Sequence, residues 1–149
     1  MRLLKVFVVV LAMSLSLFAA ESPFSGTWKL NPDKSTPPAP KRDVAVVDAD
    51  ENGLKFNEDI IDDKGQAMKI NYQAKFDGKD YPVTGVPKTD SISYRRVNEN
   101  TLKGDLKKGG KKTTDLTVVV SKDGKITTVT YTDYSQAKPE KSTAVYDKQ

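Results

Sequence analysis

Apolar and polar side chains alternate along most of this chain. Met68, Ile70, Tyr72, Ala74 and Phe76 interleave with Lys69, Asn71, Gln73 and Lys75. A period of two belongs to a β-strand with one buried and one solvated side. Leu116, Val118 and Val120 repeat the pattern, and so do Val129 and Tyr131 between threonines. Between residues 113 and 132 the chain is dominated by Thr and other β-branched residues, which suit a pleated, half-buried surface. After residue 20 no stretch sustains the periodicity of a helix.

Turn-forming residues punctuate these runs at Glu51-Asn52-Gly53, Asp63-Lys64-Gly65, Asp77-Gly78, Glu99-Asn100, Gly109-Gly110 and Asp123-Gly124. Such pairs tolerate the left-handed backbone of tight hairpins. The pattern predicts strands over 25–31, 42–50, 54–62, 66–76, 90–97, 101–107, 112–121, 125–135 and 141–147, with a short addition at 81–83. Sequential hairpins make a meander, and a meander this long removes its exposed edges best by closing on itself. The expected fold is all-β: one antiparallel meander barrel of about 8–10 strands, with a two-sheet sandwich as the competing architecture. Residues 31–41 break the rhythm with Pro32, Pro37, Pro38 and Pro40. Four rings that fix φ and lack an N–H predict an extended connector across one end of the barrel.

The residues at the two ends of this pattern carry a family likeness. Phe24-Ser25-Gly26-Thr27-Trp28-Lys29-Leu30 and Ala144-Val145-Tyr146-Asp147-Lys148, joined by the meander, resemble the calycins, meaning lipocalins and intracellular fatty-acid-binding proteins. The resemblance implies a Gly-x-Trp on the first strand with Trp28 plugging the closed end of the barrel. Thr132-Asp133-Tyr134 is similar to a Thr-Asp-Tyr element of lipocalins. The chain departs from the pattern in three respects. The Arg of the Arg-x-Tyr pair that holds a carboxylate in fatty-acid-binding proteins is Ala144 here, although Tyr146 keeps the Tyr. No Arg follows Arg96, so the late Arg that packs on the lipocalin Trp is missing, and Lys141 or Lys148 would have to serve with poorer stacking. The proline-rich segment cannot form the two-helix lid of the fatty-acid-binding proteins.

Composition changes the picture at the amino terminus. Arg2 and Lys5 precede an apolar stretch at 6–18, followed by Ala19, Ala20 and polar Glu21. This order is that of a secretory signal peptide, and the apolar run is short for a membrane span. The expected organisation is a signal peptide at 1–20 and a single lipocalin-like domain at 21–149, delivered to the periplasm or secreted. No Cys is present, so the exported domain holds together without disulfides. The formal charge of the whole chain is +4. Loss of Arg2 and Lys5 leaves about +2, too little to select a partner by itself.

With neither His nor Cys in the chain, the commonest general base, thiol nucleophiles and most transition-metal sites are absent. No enzyme and no cofactor is expected. Asp48, Asp50 and Asn52 with Gly53, and Asp59 at the twelfth place, follow the oxygen-ligand spacing of a Ca²⁺ loop. Strand-like flanks instead favour a hairpin turn. The Lys107-Lys108-Gly109-Gly110-Lys111-Lys112 segment is the densest basic run, and beside a Gly-Gly hairpin it reads as edge protection.

A function would therefore lie inside the barrel. Inward candidates are Val44, Val46, Leu54, Phe56, Ile70, Tyr72, Phe76, Ile92, Tyr94, Leu116, Val118 and Val129. Arg95 and Arg96 are consecutive on one strand, so alternation turns one of them inward. The expected ligand-binding set is Phe56, Ile70, Tyr72, Tyr94, Arg95, Arg96, Val118 and Tyr146. These would enclose a small lipophilic molecule, with an Arg and Tyr146 orienting its polar head. The same sequence predicts a monomer that binds no nucleic acid and does not stay in the membrane once its signal is cleaved. The alternative is a filled barrel acting through its surface on a protein or envelope partner.

Overall fold

The computed structural model describes residues 20–149. The signal peptide expected at 1–20 lies outside the described residues, save Ala20. Ten strands form in chain order: β1 Gly26–Leu30, β2 Arg42–Ala49, β3 Gly53–Ile61, β4 Ala67–Lys75, β5 Tyr81–Thr84, β6 Ser91–Asn98, β7 Thr101–Lys108, β8 Lys111–Val120, β9 Ile126–Asp133 and β10 Glu140–Lys148. Each pairs antiparallel with its sequence neighbour, and β1 pairs with β10, so the meander closes into a barrel. The expected architecture holds, and closure leaves no sheet edge to protect. No α-helix occurs among the described residues, and none of their helices is long and apolar enough to cross a membrane.

The hairpins follow the turn chemistry in the sequence. Gly109 and Gly110 form a two-residue turn between β7 and β8 with φ of 55° and 78°, a backbone that side chains disfavour. The turn before β3 works differently from the expected left-handed Asn-Gly pair. The Asp50 carboxylate accepts hydrogen bonds from the N–H groups of Asn52 (2.7 Å) and Gly53 (3.0 Å). Gly53 is required there for space, since a Cβ would stand 2.5 Å from the Ala74 carbonyl oxygen.

The wall is uneven. β5 is held by two register pairs on each side, whereas β7 and β8 share eight. β1 ends at Leu30, and the chain beyond it takes over the edge of β10. Asn31 N–H donates to the Val145 carbonyl (2.7 Å) and Thr36 N–H to the Thr143 carbonyl (2.8 Å). In return Val145 N–H donates to Ser35 Oγ and Thr143 N–H to Thr36 Oγ1. Hydroxyls thus satisfy a ladder that the prolines cannot continue. The connector starts with a 3₁₀ turn, Pro32–Lys34, and Ser35, Thr36, Pro38, Ala39 and Pro40 border the barrel interior.

The phase of β2 corrects one sequence expectation. Asp43, Ala45 and Val47 face inward, while Val46 is 49% exposed and Val44 lies on the outward phase with it. The run Val44-Ala45-Val46-Val47 is apolar in both phases, so alternation alone does not decide it. Packing does: Trp28 lies opposite Ala45 across the β1–β2 ladder, and a small side chain leaves room for the indole.

Candidate ligand cavity

The two ends of the barrel differ. At the end where β1 begins, Phe24 and Trp28 are buried, and the indole N–H donates to the Phe24 carbonyl at 3.0 Å. Phe24 meets Phe76 edge-on at 6.4 Å, and Phe76 meets Tyr94 in the same way, also at 6.4 Å. Lys148 lies across the β1–β10 ladder from Trp28, with its Nζ 5.4 Å from the ring centroid. Lys148 thus takes the place expected of a late basic residue over the first-strand Trp. Lys148→Met is expected to lower stability by about 0.5–1 kcal/mol, the value of a cation over an aromatic face at an exposed site, read by urea denaturation. Lys148→Arg should match or exceed the wild type, because a planar guanidinium stacks better.

Beyond this plug the interior is open. A cavity of about 370 Å³ extends from Trp28 to the proline-rich connector. Six of the eight residues expected to bind a ligand line it: Phe56, Ile70, Tyr72, Tyr94, Val118 and Tyr146. Phe56 and Tyr72 stack with ring centroids 4.7 Å apart, and the hydroxyls of Tyr72 and Tyr94 bond at 2.8 Å. Burial raises both phenols, that of Tyr94 to about 12, so the walls carry no charge from them near neutral pH.

Arg95 and Arg96 are the other two, and neither lines the cavity. Arg95 is exposed, with its guanidinium against Gly78. Arg96 falls on the inward phase of β6 but beyond the plug, where it donates to the carbonyls of Asn98 and Glu99, each at 3.3 Å. Alternation gives the direction of a side chain but not its reach: although Arg96 pairs with buried Leu102, its guanidinium is held by the carbonyls at the β6–β7 turn and stays out of the cavity.

The charged groups inside are acids. Asp43 on β2 and Glu58 on β3 are diagonal neighbours across the ladder, since Ala45 pairs with Glu58 and Asp43 with Ile60. From β10, the Tyr146 hydroxyl reaches across the end of β1 and faces both carboxyls, 3.1 Å from Asp43 Oδ2 and 3.3 Å from Glu58 Oε1. Burial, then the negative charge of Asp43, pushes the Glu58 carboxyl well above its ordinary range. Burial raises Asp43 too, partly opposed by its neighbours Glu58 and Tyr146. The pair therefore keeps a proton at pH values where ordinary carboxyls have lost theirs. Among the described residues no Lys or Arg lines this cavity, and the chain has no His.

A period-two signal for these acids exists in the sequence. Glu58 stands between Phe56 and Ile60 on the inward phase of β3, a charge where the pattern asks for an apolar group. Asp43 carries the same signal once the phase of β2 is known.

The spaced oxygen residues form no cluster. Asp50 is engaged by its own turn, Asp48 stands opposite Lys55 in the β2–β3 ladder, and Asp59 bonds Lys69 at 3.1 Å. Asp59 stands four residues along β3 from Lys55, roughly 13 Å in an extended strand. The weaker Ca²⁺ candidate at Asp48, Asp50, Asn52 and Asp59 is not assembled, because the strands carry its members apart and Asp50 serves the hairpin turn that the flanks favour. In the lysine-rich hairpin, Lys107, Lys108 and Lys112 each sit against an aspartate: Asp80 (2.7 Å), Asp90 (3.6 Å) and Asp105 (2.8 Å). No protein-family model and no curated protein matches this chain.

Proposed function

We propose that the chain is an exported, calycin-like carrier that holds one small apolar or amphipathic molecule inside its barrel and performs no reaction on it. The observation that carries this reading is the cavity of about 370 Å³. Its volume falls in the range of roughly 300–1,000 Å³ typical of small-molecule sites, and its apolar walls with a few convergent polar groups are the usual make-up of such sites. The cavity favours a carrier over a filled barrel that acts only through its surface. The ten-stranded meander and the first-strand Trp28 under Lys148 support the calycin likeness, and the order of charges and apolar residues over 1–20 supports export. Tyr146 orients the polar end of the bound molecule, and Phe56, Ile70, Tyr72, Tyr94 and Val118 surround its body.

Native mass spectrometry of residues 21–149, purified gently from the exported fraction of the host, tests the reading. A monomer carrying a species of discrete mass, lost on organic extraction, is the expected result. Val118→Trp places an indole in the cavity and should reduce uptake at least tenfold while the circular dichroism spectrum stays that of a β-barrel. A clean apo mass with no uptake from an added lipid extract would overturn the carrier.

A further inference from the structure

Resting on the carrier reading, we propose that the cavity selects a ligand whose head is a protonated amine: an amphipathic ammonium, not a carboxylate. The head would sit at Asp43, Glu58 and Tyr146, with its apolar body directed toward Tyr72 and Trp28.

The acids alone would not carry this. A buried pair of carboxyls can be a structural acid–acid contact satisfied within itself. The unpartnered oxygens beside the pair point to a ligand. Thr127 lies across the ladder from Tyr146, is 8% exposed, and lines the cavity with no hydrogen-bond partner for its Oγ1. Asp43 is 7% exposed, and its Oδ1 likewise has no donor, since Tyr146 faces Oδ2. Buried polar atoms in folded proteins are nearly always paired, so two orphans lining one cavity ask for a donor from outside the chain. Thr127 can supply its own O–H, but Asp43 Oδ1 can only accept while the carboxyl is ionised.

The charge around the site gives the donor its sign. The titratable groups facing the pair are Tyr72 on β4, Tyr94 on β6, Tyr131 on β9 and Tyr146 on β10, all phenols that burial keeps protonated. No base stands among them, so an ionised carboxyl here has phenol dipoles for company and no countercharge. An anionic head would be repelled by it and would lose its water with no cation to meet. An ammonium brings three donors and the missing positive charge. It would also displace the proton that the pair otherwise holds, so binding should release protons to the buffer.

Three probes of equal chain length separate the possibilities: decylamine, decanol and decanoate, each added to the apo protein at pH 7.5. Trp28 is the only Trp of the chain and lines the cavity, so its fluorescence reports occupancy. The expected result is decylammonium binding at least tenfold tighter than decanol, and decanoate weakest. Calorimetry in buffers of different ionisation heat should show protons leaving on amine binding. The double change Asp43→Asn and Glu58→Gln should bring the amine-to-alcohol ratio down to about one. Because the wild-type comparison needs no variant, misfolding of the double variant would not blunt the test. Decanol or decanoate binding as tightly as the amine would overturn the head-group assignment and leave the carrier standing. No binding of any of the three, together with an empty protein from the host, would remove both.

Discussion

Trp28→Ala is expected to lower the stability of the barrel by about 3–5 kcal/mol, the cost of deleting a large buried aromatic side chain. The indole is 3% exposed and touches several things at once. Its ring covers the cavity floor, its N–H satisfies the Phe24 carbonyl, and its other face carries Lys148. Alanine would leave that carbonyl without a donor and join the vacated volume to a cavity already about 370 Å³ in size, so collapse onto the site is poor. Domains of this kind have roughly 5–15 kcal/mol in hand, so the variant should be marginal at 37 °C. Trp28→Phe keeps most of the apolar contact and should fall about halfway. Urea denaturation followed by circular dichroism measures both, because the variants lack the fluorophore. A loss under about 1 kcal/mol in the alanine variant would mean that the plug is dispensable and that the hairpins close that end by themselves.

The strands were legible because their signal is local. β4 shows alternation over its whole length, and Gly109-Gly110 marks a turn whose backbone few other residues adopt. What stayed hidden depends on partners distant in the chain. The phase of β2 is decided by Trp28, which lies opposite Ala45. The placement of Arg96 is decided by the turn carbonyls of Asn98 and Glu99 that hold its guanidinium, which alternation along β6 does not show. Five wall residues could be named from their phase and Tyr146 from the family likeness, whereas the acids at the polar end could not be recognised as a site. Asp43 and Glu58 gain meaning only when closure brings Tyr146, from the last strand, over both of them. The likeness to carboxylate-binding barrels implies an arginine at the polar head, whereas the charged residues that line this cavity are acids.

The pair should also make stability depend on pH in a direction opposite to that of most carboxyls. Asp43 and Glu58 both have folded pKa values raised above the ordinary 3.8 and 4.5. In the window between those values and the raised ones, the folded chain binds more protons than the unfolded chain. The contribution of the pair is therefore fully present below about pH 4 and is lost as pH rises through the folded values, at about 1.4 kcal/mol for each unit of separation. In apo protein the melting temperature should fall from pH 5 toward pH 8, and Glu58→Gln should flatten that slope and raise stability at the alkaline end. Tyr146→Phe should do the reverse, because the hydroxyl supports the ionised form of both acids. Its cost should be small at pH 4, where the two acids can bond each other, and about 1–3 kcal/mol at pH 8, where buried carboxylates lose their donor. Melting curves of the three proteins across this range read the sign directly. A wild type that gains stability from pH 5 to pH 8, with Glu58→Gln running parallel to it, would mean that the pair ionises freely and that water, not the fold, solvates it. If instead the wild type falls and Glu58→Gln does not, the barrel holds a proton at the place where the cavity offers a cation its only counterion.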